Sequence, residues 1–385
     1  MLRLLLWVGQ FLIVLPAAYS SIISLWGFRN QPPTPRSSGT RPVRAVVAAH
    51  DEATVIAGVA ADLAHQDTEG DLLEAVVIAD RCTDDTASIA AKHVEVVVRA
   101  SGTGGKGAAI EWYLDAHPLA PNEILLVLDA DNRVSPDFVA HIAAPFDRGA
   151  SVVQCYLGVT NPDGSALATA SALTYWASNR MVQLARSNIG WSCDLGGTGM
   201  AIASEALDSI GGVGDDLTDD LSLNVRLNLA GYTTAWVHDV QVQDEKATTT
   251  SSTVRQRARW VSGKRDVRRA YGRRLIGSGI KRWQPNLLDL AFRLYNPGRS
   301  FIALVIALVA VAAAIWPNAG FWPWQVLALV AAVVVFLPMA FLVREGVESR
   351  YILRYPVVSL IALLWIPIRI ASRFTSGWRR TPHSG

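Results

Sequence analysis

Three stretches of the chain run without a charge for about the length of a membrane-crossing helix: residues 4–28, 300–316 and 321–343. Each is near the ~20 apolar residues that a spanning helix needs. A fourth apolar block, 351–372, is interrupted by Arg354, Pro356, Pro367 and Arg369. It is expected to lie at the interface or re-enter it, with its arginines reaching the headgroups. Between the first and second blocks the pattern changes. Short apolar runs ("VRAVVAA", "LEAVVIAD", "VEVVVRA", "EILLVLDAD") alternate with helix-like stretches. That alternation predicts an α/β domain with a mostly parallel sheet and helices on both faces. Further on, "ASVVQCYLGV" reads as a strand, 166–186 as a helix and "DLGGTGMAIA" as a Gly-rich turn. "DDLTDDLSLNVRLNLAG" reads as a helix with an acidic start and a Gly stop.

In such a sheet, ligands bind beyond the carboxyl ends of the strands. Here those ends carry Asp51, Glu52, Asp80, Asp129 and Asp131. Asp129 and Asp131, at i and i+2 after a buried strand, can converge on one hard cation. Taken alone, they could equally be solvated strand-end acids.

Composition supports a membrane protein: 51% hydrophobic residues, 18% charged and a mean hydropathy of +0.25. The first block is read as an anchor rather than a signal peptide, because the apolar run continues past a signal core and no small-x-small site follows. The net charge of +2 says little, but its distribution is informative. Residues 255–274 hold nine basic residues against Asp266. Beside membrane spans, such a run suits an anionic inner leaflet and not nucleic acid. Arg29, Arg36, Arg41 and Arg44 follow the first block and place that side in the cytoplasm. Cys82, Cys155 and Cys193 show no metal spacing and fit a reducing compartment.

Competing motifs fail on inspection. Gly102-x-Gly104-x-x-Gly107 has the dinucleotide spacing but follows the third strand, whereas that fingerprint opens a fold. Lys106 is followed by Gly107, where a phosphate-loop ATPase needs Ser or Thr. "DADNRVSPDF" lacks the central Gly of a calcium loop. A Lys in a Gly-rich turn at a helix start still suits a phosphate.

The order strand-"HDE", strand-"D", "GGKGAA", "LDAD", "GGTGM", "LTDDL", "QRARW" resembles the membrane-bound branch of glycosyltransferase family 2. Cellulose, hyaluronan and poly-N-acetylglucosamine synthases and ceramide glucosyltransferases belong to it. The resemblance covers about residues 43–265. It implies a GT-A-type nucleotide-sugar-binding domain at 43–250, with a nucleotide-sugar half (43–135) and an acceptor half (136–250). Around it would lie an N-terminal span (1–30), a linker (31–42), interfacial basic helices (251–299), a transmembrane hairpin (300–343) and an interfacial or re-entrant segment with a cytosolic tail (344–385). By the same resemblance, Glu52 and Asp80 would hold uracil and ribose, and Lys106 would lie close to the nucleotide. Asp129 and Asp131 would meet the diphosphate and its Mg²⁺ or Mn²⁺. Gly197, Thr198 and Gly199 would form the acceptor wall, with Asp219 beside the catalytic base Asp220. Gln256, Arg259 and Trp260 would close over the diphosphate and acceptor. Two departures stand out: Asp219 replaces a Glu, and Ala49-His50-Asp51-Glu52 lacks the usual Asn before Glu, which leaves the role of Asp51 open. "Trp378-Arg379-Arg380-Thr381" loosely resembles the gating loop of cellulose synthases.

The expected function is inverting transfer of glucose or N-acetylglucosamine from a UDP-sugar to a membrane lipid or growing polysaccharide. The protein would be multi-pass in the cell membrane with its catalytic domain in the cytoplasm. Three clear spans are few for a polymer channel, which favours a lipid acceptor or a homo-oligomer. The alternative is a membrane-anchored nucleotide-sugar-binding regulator without turnover.

Overall fold

A computed structural model of the chain describes residues 2–68, 72–214, 219–246, 249–356 and 358. Asp215, Asp216, Thr218, the Asp219 side chain, most of the 351–372 block and the Trp378–Thr381 motif lie outside the described residues. The chain opens with α1 (Leu2–Ser24). There follow β1 (Val43–Ala49), α2 (Ile56–Ala64), β2 (Leu73–Asp80), α3 (Thr86–Ala90), β3 (Glu95–Arg99), α4 (Lys106–Ala116) and β4 (Ile124–Leu128). The second half holds β5 (Arg133–Val134), α5 (Phe138–Asp147), β6 (Val152–Val159), α6 (Ala166–Ser178), α7 (Ala185–Ser187), β7 (Met200–Ala203), α8 (Ser204–Ser209), α9 (Asp219–Ala230) and β8 (Thr234–Asp244). Last come α10 (Thr250–Lys281), α11 (Pro285–Tyr295), α12 (Arg299–Ile315), α13 (Trp324–Glu345) and α14 (Ser349–Ile352).

The described strands form one eight-stranded sheet in the order β3-β2-β1-β4-β7-β6-β8-β5. β3, β2, β1 and β4 are parallel, as the alternation predicts, while β7 runs antiparallel between β4 and β6. The central strands are apolar on both faces because helices cover both. On β4, Ile124, Leu126 and Leu128 join one core and Leu125 and Val127 the other. Three elements depart from the sequence reading. "DLGGTGMAIA" is a turn only to Gly199, and Met200–Ala203 is a strand between two partners. β8 mixes buried positions with half-exposed His238 and exposed Asp239 and Gln241, so no apolar run marks it. The 166–186 helix passes through a π-helical turn at Asn179–Leu184.

The Pro- and Ser-rich stretch before β1 is a strap held to the domain rather than a free linker. Ser37 and Ser38 donate to Asp147, Thr34 to Asp239, and Arg36 pairs with Asp67. Arg44 is buried against Glu123 at 2.9 Å, so it serves the core and not a membrane surface.

Among the described residues, two helices are long and apolar enough to cross a membrane, spanning Arg3–Phe28 and Trp324–Glu345. α11 and α12 would make a third crossing only as a pair bent by 66°. α1, α12 and α13 pack together through small residues, Ala17, Ala303, Ala310, Ala313 and Ala331 among them. A buried ionic cluster joins this bundle to the sheet domain. Asp289 on α11, fully enclosed, accepts from Arg186 at 2.7 and 2.9 Å and from Tyr19 of α1 at 2.8 Å, and pairs with Arg293. Arg293 continues to Asp194, whose carboxylate accepts from Asn224 of α9. Removing one member of a buried ionic cluster leaves the others without counter-charge. Asp289→Ala is therefore expected to destabilise the fold by about 3–5 kcal/mol, read as a lower unfolding midpoint in detergent.

Candidate active site

The site is built where β2, β1 and β4 end side by side. Past those ends the backbone takes unusual conformations. Asp51 (φ 54°) and Arg81 (φ 52°) are both left-handed, which costs on the order of 1–3 kcal/mol at a non-glycine residue and is concentrated at functional sites. Asp51 accepts from the Thr83 amide at 2.6 Å, so it fixes the loop after β2. That hydrogen bond holds its carboxyl below the ordinary range. His50 donates through Nδ1 to the Asp80 carbonyl at 2.6 Å, tying the two loops together. The Glu52 amide donates to Thr86 Oγ1 at 2.8 Å.

Asp80 reaches the rim, but its carboxylate is gripped by Arg81 at 2.9 and 3.1 Å and by Arg99 at 3.0 Å. Sequence reading missed both arginines. Arg81 follows the strand-end acid directly, and an Asp-Arg dipeptide at a strand end is the signal available.

Asp129 and Asp131 leave β4 in a turn held from beneath. The Asp129 amide donates to Asn132 Oδ1 at 2.9 Å and to Thr198 Oγ1 at 3.1 Å, and Thr198 Oγ1 in turn donates to Asn132. Asn132 is wholly buried, and its side chain closes the turn by accepting from the backbone three residues before it. The Gly196–Gly199 loop is shaped by buried Gln154, which accepts from the Gly196 amide and donates to the carbonyls of Thr198 and Gly199. Gly197 (φ 82°) and Gly199 (φ 59°) are left-handed, and a Cβ on Gly199 would stand 2.3 Å from Cys155 Sγ. Thr198 is thus a buried brace, flanked by backbone that leaves room for a ligand.

Lys106, at the start of α4, ion-pairs with Asp129 and donates to the Gly197 carbonyl at 2.7 Å. Asp220 sits in the first turn of α9, with Oδ2 3.4 Å from where a Gly197 Cβ would lie. Burial raises the Asp220 carboxyl, and neighbouring Asp129 adds to this. The Leu221 amide, Lys106 and Arg259 oppose the rise. Lys106, Asp129, Gly197 and Asp220 are therefore neighbours, and Arg259 lies within electrostatic reach of Asp220. Gln256 is half-buried on the same helix as Arg259, and Trp260 is 41% exposed there.

Asp131 points toward a residue sequence reading did not single out. Its carboxyl hydrogen-bonds Asp244 at the end of β8, and burial, Asp244 and Asp129 all push it well above the usual range. Asp129 is the open member of the pair, with 42% of its side chain exposed. β8 ends in an acid just as β1, β2 and β4 do, a signal lost with the strand itself. The donors fit the divalent cation that the resemblance implies: they are hard carboxylate oxygens, and two carboxylates in contact call for a proton or a cation between them. Among the described residues, the cluster of three potential ligand groups within 4.8 Å of one another is a different one, Asp51, Cys82 and Asp84. Its acids already bind the Thr83 and Thr86 amides. Cys155 and Cys193 are buried with thiols pushed up to about 12, as inert small residues should be.

This sheet, with its acids gathered at one rim and the acid-headed helix α9 beside them, has the GT-A-like architecture of nucleotide-sugar enzymes. Residues 41–263 match the family described as "Glycosyltransferase like family 2". The chain belongs to glycosyltransferase family 2. It is 32% identical over 238 residues to a beta-monoglucosyldiacylglycerol synthase of Nostoc sp., covering 57% of this chain and 48% of that protein. It is 26% identical over 175 residues to a probable glucomannan 4-beta-mannosyltransferase of Oryza sativa, covering 44% and 30%. The chain spans about half the length of the glucosyl-lipid synthases it matches. In fold it is similar to a mannosyltransferase from Pyrobaculum calidifontis solved with GDP-Man and Mn²⁺, with a TM-score of 0.58, 19% identity and coverage of 93% and 98%.

Proposed function

We propose that the chain is an inverting glycosyltransferase that moves glucose from UDP-glucose to a hydroxyl of a diacylglycerol-type membrane lipid. The observation that carries this reading is the grouping of Asp220 with Lys106 and Asp129 around Gly197, with Arg259 in electrostatic reach of Asp220. Asp220, raised by burial, takes the proton of the acceptor hydroxyl. The acceptor oxygen bonds to the sugar's anomeric carbon as the bond from that carbon to the diphosphate oxygen breaks, and the nucleoside diphosphate leaves with the electron pair. Attack from the side opposite the leaving group inverts the centre. Lys106 and Arg259 supply positive charge to the diphosphate. Glu52 and Asp80 face the nucleoside, Asp80 through the arginines that hold it. Asp129 and Asp131, with Asp244, would hold Mg²⁺ or Mn²⁺, which supplies charge neutralisation at the leaving group. Gly197 to Gly199, Asp219 and Trp260 form the acceptor side. The two long apolar helices anchor the enzyme in the membrane with the site on the cytoplasmic face, where a nucleotide sugar is available. The glucosyl-lipid relatives support the lipid acceptor.

Polymer extension is the second reading, favoured by the weaker match to the glucomannan enzyme. Purified protein in lipid nanodiscs, given labelled UDP-sugars and diacylglycerol, is the test. UDP release with a glucosylated lipid by mass spectrometry is expected. A ladder of oligosaccharides would favour the second reading, and absence of UDP release with every donor would leave only nucleotide-sugar binding.

A further inference from the structure

The site contains a second lysine with no place in the family motif. Lys246 lies two residues past the end of β8, and its side chain is 8% exposed. Its ammonium ion-pairs with Asp244 and stands 3.7 Å above the ring of Tyr175 on α6. The backbone there is fixed: the Lys246 amide donates to Asn161 Oδ1 at 2.8 Å, and Asn161 Nδ2 donates to the Lys246 carbonyl at 2.9 Å. Asp244 is the carboxylate in contact with Asp131. The two lysines thus take opposite flanks of the acid pair, Lys106 on Asp129 and Lys246 on the Asp131–Asp244 side. Tyr175 packs against the main core under the sheet and feels the charges of Lys246, Asp244, Arg257 and Asp220.

A buried ammonium cannot move its charge into water. A divalent cation arriving at Asp131 must therefore sit beside a fixed positive charge, and at short range in a partly buried site that repulsion is large. A diphosphate brings enough negative charge to reverse the balance. We propose that Lys246, seated on Tyr175 and paired with Asp244, is a positioning residue that makes cation binding at Asp131 conditional on the nucleotide diphosphate. In the absence of nucleotide it neutralises the acids and keeps the cation weakly bound. With the diphosphate present, its charge adds to the attraction for the phosphates. The site then loads donor and metal together, which guards against a metal-only state.

This inference rests on the cation reading of Asp129 and Asp131. The test is Mn²⁺ titration followed by the EPR signal of free Mn²⁺, with and without UDP, on wild type, Lys246→Met and Lys246→Arg. Wild type is expected to bind Mn²⁺ weakly alone and much more tightly with UDP. Lys246→Met, of similar shape but neutral, is expected to bind Mn²⁺ alone about tenfold tighter or more, with a correspondingly smaller gain from UDP. Lys246→Arg keeps the charge and should restore the wild-type coupling. A lysine that only braces Asp244 would lower thermal stability in Lys246→Met and leave the Mn²⁺–UDP coupling unchanged, which overturns the proposal. If wild type binds no Mn²⁺ even with UDP, the cation reading falls and this inference with it. Normal coupling that ignores the substitution removes the inference alone.

Discussion

Asp220→Asn is expected to bind UDP about as well as wild type and to turn over at least ~100-fold more slowly, the typical loss for a general base. The amide keeps the shape and can still accept from the Leu221 amide, so α9 keeps its first turn. What disappears is the capacity to take a proton. The pH profile provides a second reading of the same group. A base works deprotonated, and burial raises the Asp220 carboxyl above its ordinary value. Activity should therefore be full above that raised pKa and fall as pH drops through it, at a higher pH than an exposed carboxylate near ~3.9 would give. In Asp220→Asn the part of that acid limb owed to this carboxyl should vanish along with most of the rate, leaving any limb from Asp131. Calorimetry with UDP and a turnover assay across pH on the same preparation check both. Wild-type turnover in Asp220→Asn would move the base to another acid.

The parallel half of the sheet was legible because its strands are apolar on both faces and end in acids. β1, β2 and β4 follow that pattern, and their register places Ala49 beside Ala79. The antiparallel half was not legible. Met200–Ala203 is only four residues, hidden behind glycines whose φ values shape the turn before it. β8 pairs with β6 on one edge and with the two-residue β5 on the other, and its outward positions are polar. Missing β8 meant missing Asp244 and Lys246, since a strand-end acid is recognised only when the strand is. The residues proposed for chemistry stand in motifs, but those that hold them do not. Asn132, Gln154 and Arg99 are buried polar groups, each with a partner from a distant part of the chain: Thr198 for Asn132 and for Gln154, and Asp80 for Arg99. No local pattern announces a hydrogen bond between residues far apart in sequence. The same holds for Asp289, which lies in an amphipathic helix and becomes conspicuous only when Arg186 and Tyr19 are placed against it.

Asp131→Ala is expected to abolish measurable turnover, and a chelator should do the same to wild type until Mg²⁺ or Mn²⁺ is restored. Losing even an outer partner of a metal ligand costs ~10–100-fold, so removing a ligand should cost more. Asp131 is the enclosed member of the pair, pressed against Asp244, while Asp129 faces the open cleft and Lys106. The two substitutions should therefore differ. Asp131→Ala removes a cation ligand and leaves the Lys106–Asp129 pair intact, so UDP measured without metal should bind as in wild type. Asp129→Ala frees Lys106, whose ammonium can then reach a phosphate unopposed, so metal-free UDP binding should hold or tighten while turnover is lost. Calorimetry with UDP in chelator, beside turnover with added metal, separates the two residues. Full wild-type turnover in chelator would remove the cation from the mechanism. Lys106, Arg259 and Lys246 would then have to carry the leaving group's charge alone, and Lys106→Ala would become the substitution with the largest effect.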